Sequence, residues 1–138
     1  MRGADFAIDA GRPYFDFMRE VLVFLIALAD RIAHDRLGAG ERSEFTVALV
    51  RHIARTLQEN ENELLGGPPP GAPPHGDSFI DLVNEVTQHY AEFGADPQPP
   101  AGVTVFHPDF AFVRYLGTRV APTVPAHEQR WVLGQVMA

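Results

Sequence analysis

The chain contains no cysteine and no lysine. The first absence excludes disulfides, thiolate catalysis, iron–sulfur clusters and cysteine-ligated zinc. The second leaves all 11 basic charges to arginine. It excludes a Schiff-base lysine and the lysine of a phosphate-binding P-loop. Serine is scarce as well, with only Ser43 and Ser78 present. Neither sits in a Gly-x-Ser-x-Gly turn, and both fall where a helix needs a capping or first-turn polar residue. Long apolar runs are missing too. The longest, residues 21–29, makes about 13 Å of helix against a hydrocarbon layer of about 30 Å, so no membrane partner is expected. Residues 1–13 carry Asp5, Asp9 and Arg12 and no apolar run, which does not fit a signal peptide. With no cysteine, cytoplasmic residence is the expectation.

Positive charge is in short supply: 18 acidic residues outweigh the arginines and leave a formal charge of −7. Nucleic-acid binding requires cations that displace counterions from phosphate, so no nucleic-acid partner is expected.

What the chain does have is apolar material. It is 46% hydrophobic, with ten phenylalanines among 138 residues. That suits one domain, which at this length should bury roughly 65–70% of its unfolded surface. Residues 1–12 are expected to form a flexible lead-in, and Pro13 suits the first turn of a helix over 13–37. On a 100° wheel Tyr14, Met18, Val21, Leu22, Leu25, Ala29 and Ile32 form one stripe, expected to face inward. Asp16, Arg19, Glu20, Asp30 and His34 lie opposite, expected to face water. Gly38 offers a left-handed cap at the end.

A second helix over 40–65 carries Phe45, Leu49, Val50, Ile53, Leu57 and Leu64 on one face, with Arg51, Arg55, Gln58 and Glu59 on the other. The short connection makes the pair an antiparallel hairpin. Residues 66–76, GGPPPGAPPHG, read as a semi-rigid linker. A third helix over 77–93 shows a stripe of Phe79, Leu82, Val83, Val86, Tyr90 and Phe93. After a proline-rich loop and a short extended piece at 103–106, two further helices are expected over 108–121 and 125–137. The sum is an all-α bundle of five helices.

Chemistry is hard to find in it. Asp30 and His34, and Glu85 and His89, stand four apart on shared helix faces, but no Glu-x-x-His pattern of di-metal bundles occurs. His34 and His52 fall on outward faces, His89 at the edge of its stripe, and His107 at the entry to a helix. No metal, cofactor or catalytic residue is therefore predicted. The surplus is apolar: Phe17, Phe24 and Leu28 share a flank of the first helix beside its main stripe. Aromatic surplus of this kind marks interface cores, so these three are the predicted partner-binding residues. The expected function is a non-catalytic helical interaction protein, either a homo-oligomeric adaptor or an accessory subunit. The alternative is a small-molecule- or metal-binding bundle acting as a sensor or minor enzyme.

Overall fold

A computed structural model describes residues 11–102, 106–124 and 136. It contains four α-helices in chain order: α1 (Arg12–Arg36), α2 (Ala39–Leu65), α3 (His75–Tyr90) and α4 (Phe110–Val120), with a 3-10 turn at Ala121–Thr123. Among the described residues no strand forms, and the one β-type pairing is an isolated bridge between Ala95 and Pro108. The all-α class holds. The expected fifth helix lies outside the described residues apart from Val136, which is helical, as does the lead-in apart from Gly11 and Arg12.

Local chemistry sets the helix ends. Proline stands in the first turn of α1, where its missing N–H goes unneeded. The expected left-handed cap at Gly38 does not form: Leu37 ends α1 in extended geometry, and Gly38, at φ −68°, opens α2. The connection is so short that Gly38 serves the next helix, its N–H donating to the Glu41 carboxylate at 3.3 Å. The far end of α2 does use a positive φ, +84° at Gly66, whose N–H returns to the Asn62 carbonyl at 3.0 Å.

The proline-rich segment is tied down at its base. His75 and Gly76 belong to α3 rather than to the linker, and His75 Nε2 lies 3.0 Å from the Gly66 carbonyl. Gly76 lets α3 approach α2 closely. A Cβ there would meet the Ala54 carbonyl at 3.1 Å and Gln58 Oε1 at 2.7 Å, and the Gly76 N–H donates to that same oxygen. The second loop is closed by the Asp96 N–H donating to His107 O (2.7 Å) and the Asp109 N–H donating to Gly94 O (3.0 Å). Asp109 then caps α4, accepting from the Phe112 N–H at 2.8 Å.

The core joins Phe15, Val23, Ile26 and Ala27 of α1 to Ala54 and Leu57 of α2, Phe79, Val83, Val86 and Tyr90 of α3, and Phe112 of α4. Tyr90 is its hub, with ring centroids 5.0 Å from Phe112, 4.9 Å from Tyr115 and 5.8 Å from Phe24. Such pairs add about 0.5–1.5 kcal/mol each beyond the area they bury. The α3 stripe falls inward as its spacing implies. The α1 stripe does not: Tyr14 and Leu25 are exposed, while Arg19 and Glu20 on the charged side are buried. α1 is apolar around most of its circumference, so hydrophobicity alone names no unique inner side. The charges face inward because partners on other helices receive them.

Candidate functional site

Three charged clusters grow out of α1. At its start, Glu61 of α2 is fully buried and accepts two hydrogen bonds from Arg19, Nε at 2.9 Å and Nη2 at 3.0 Å, plus one from Arg12 at 2.6 Å. Arg19 also donates to Ser78 Oγ and to the His75 carbonyl, both at 3.1 Å, and His75 Nδ1 stands 3.2 Å from Glu61. Burial alone would raise the Glu61 pKa, but hydrogen bonds and charge from Arg19 and Arg12 outweigh it and hold the carboxyl below its ordinary value. Ser78 and His75 thus serve as structural partners of one buried arginine.

Midway along, Glu20 receives a two-pronged hydrogen bond from Arg119 of α4, both contacts at 2.8 Å. The nearby Tyr90 hydroxyl is buried and has no hydrogen-bond partner among the described residues. Burial first, and the Glu20 charge second, push that phenol above its ordinary pKa.

At the far end, Asp30 accepts from Arg42 (2.6 and 3.1 Å) and from the Thr46 hydroxyl (2.7 Å). Burial works to raise the Asp30 pKa, and these hydrogen bonds carry it below the ordinary value. Next to Asp30, Arg31 donates to the Phe93 carbonyl at 2.8 Å and lies 4.4 Å from the centre of the Phe106 ring.

This far end also holds an open cleft. Between α1, α2 and α3 lies a space of about 420 Å³, within the range of small-molecule sites. Ile26, Val47, Val50, Ile80 and Val83 make its apolar walls, while Asp30, Arg31, Thr46, Arg51, Asn84 and Thr87 bring polar groups to it. A separate, more polar hollow runs over the Glu20–Arg119 pair, bordered by Asp81, Glu85 and Tyr115.

The predicted partner-binding residues do not share one environment. Phe24 packs edge-to-face on Tyr90 and Phe112, with centroids at 5.8 and 5.6 Å, inside its own chain. Phe17 and Leu28 are half-buried. Among the histidines, His34, His52 and His89 are exposed, and His107 lies 3.6 Å from Asp96. Sequence reasoning placed Arg51 on an outward face and did not single out Asn84 or Glu61. The usable signal for Glu61 was its place four residues beyond Leu57, in line with the inner face of α2. Comparison with protein families, with characterised proteins and with solved structures finds no match to this chain. Among the described residues no helix is long and apolar enough to cross a membrane.

Proposed function

We propose that this chain is a non-catalytic helical interaction protein, self-associating or serving as an accessory subunit, that meets its partner through the outward apolar side of α1. The observation that carries this reading is Leu25, 47% exposed at the middle of the helix. Around it on the same side lie Tyr14, also exposed, and half-buried Phe17, Val21, Leu28 and Ile32. A helix that buries one face and keeps a second apolar face at the surface has the pattern of an interface. The net charge of −7 favours a protein partner over a nucleic acid. Within this reading α1 and α2 form an antiparallel hairpin: Arg12 and Arg19 reach Glu61 near the end of α2, and Asp30 reaches Arg42 and Thr46 near its start.

Light scattering tests it. The wild type should exceed the monomer mass as concentration rises, and Leu25→Glu should return it to a folded monomer. Because Leu25 is already exposed, its replacement should leave the helical circular-dichroism spectrum intact. A wild type that stays monomeric throughout would remove self-association from the proposal. A second reading, a small-molecule-binding bundle, is favoured by one observation, the cleft between α1, α2 and α3.

A further inference from the structure

Three features of the cleft bear on what it would hold. Its walls are mostly aliphatic, with Ile26 of α1, Val47 and Val50 of α2, and Ile80 and Val83 of α3; Tyr90 of α3 and Phe112 of α4 also line it. Its charges are unbalanced. Asp30 is the one carboxylate on the lining among the described residues, and Arg42 and Thr46 already occupy both of its oxygens. Arg31 rests on a neutral carbonyl and an aromatic ring, and Arg51 makes no ion pair among the described residues. Two guanidinium groups without a carboxylate partner among the described residues therefore border an apolar cleft in a protein whose overall charge is −7. Finally, about 420 Å³ holds one modest organic molecule and is small for a peptide helix.

We infer that the cleft binds a small amphipathic anion, an aliphatic or aromatic body ending in a single carboxylate or sulfonate. The inference rests on the small-molecule reading and names its ligand class. The body lies against Val47, Val50, Ile80 and Val83, and the anionic end meets Arg51, with Asn84 as a neutral donor. Arg51 is the residue of choice because a guanidinium presents paired N–H groups to a carboxylate or sulfonate while its stem covers apolar surface. Arg31, fixed by Phe93 and Phe106, supplies a second positive charge that needs no reorganisation. The association surface around Leu25 plays no part in this site.

Two fluorescent probes with the same aromatic body separate the terms: anionic 8-anilinonaphthalene-1-sulfonate and neutral N-phenyl-1-naphthylamine. The full chain should bind the anion at one site per molecule, about tenfold or more tighter than the neutral probe, the scale of one charge-assisted hydrogen-bond pair. Arg51→Gln should remove most of that preference, chiefly by weakening the anionic probe. Val47→Trp, at an exposed position on the rim, should block both probes while the thermal melt stays in place. Equal affinity for the two probes, or no effect of Arg51→Gln, would overturn the anion class while leaving a binding cleft. Failure of both probes to bind, or binding indifferent to Val47→Trp, would overturn the site itself. A decanoate titration followed by NMR shifts at Thr46, Val50, Arg51, Asn84 and Thr87 then places the ligand, and shifts elsewhere would count against it.

Discussion

The two ends of α1 carry similar charges and put them to opposite uses. At the start, Arg19 is buried and donates to Glu61, Ser78 and the His75 carbonyl, and Glu61 is sealed completely. At the far end Asp30 is satisfied by side chains that remain partly wet, and Arg31 and Arg51 stand beside an open cleft. The difference comes from where α3 touches α2. Gly76 brings the start of α3 down onto Ala54 and Gln58, closing the bundle over the first cluster. The first half of α2 has no buried residue, the earliest being Ala54, so there the helices leave space. One end is packed shut around its charges, and the other stays open.

This contrast breaks most sharply at Glu61. Removing its carboxylate by Glu61→Ala strands the Arg19 charge in the interior, and should cost about 3–5 kcal/mol of unfolding free energy in a urea titration. A loss below about 1 kcal/mol, the level of a surface pair, would show that this end is not sealed. Phe24→Ala, which empties the space beside Tyr90 and Phe112, should cost about 3 kcal/mol and lower the thermal midpoint without changing oligomeric mass. If it dissociated an oligomer while leaving monomer stability unchanged, Phe24 would be an interface residue after all.

Acid should act on both ends. Glu61 and Asp30 both have folded pKa values below their ordinary 4.5 and 3.8. The unfolded chain therefore takes up protons first as pH falls. The stabilisation from both is complete above those ordinary values and is lost as pH drops through the lower folded ones. Unfolding titrations from neutral pH downward should show stability declining in that acid window. Glu61→Gln and Asp30→Asn should each flatten the decline, and a decline left unchanged by either would show that its carboxylate does not contribute to it.

At the cleft end Arg42→Ala should cost no more than about 1 kcal/mol, because its pair with Asp30 is partly solvated. The smallest effect expected is at Tyr90→Phe. The hydroxyl has no partner among the described residues, so its removal should leave stability unchanged or raise it slightly. A clear loss in a calorimetric melt would reveal a hydrogen bond to the buried phenol.

How much of this was legible in the sequence differs from helix to helix. The inner face of α3 could be read: Phe79, Val83, Val86 and Tyr90 recur at helical spacing against a polar remainder, so only one side could face inward, although the helix runs over 75–90 rather than 77–93. The helical spacing of apolar residues likewise made the all-α class legible, and Gly66 stood where α2 stops, whereas Gly38 and Gly76 were taken into the starts of α2 and α3. α1 could not be read. With apolar residues on nearly every side, its inner face was decided by Glu61, Arg119 and Arg42, which lie 42, 99 and 12 residues from their partners on α1. A wheel weighs each residue against water, whereas a charge becomes a core residue when a distant opposite charge and hydrogen bonds replace that water. The candidate cleft stayed hidden for the same reason: Arg51 and Asn84 belong to surfaces that only the splay of three helices turns toward one space.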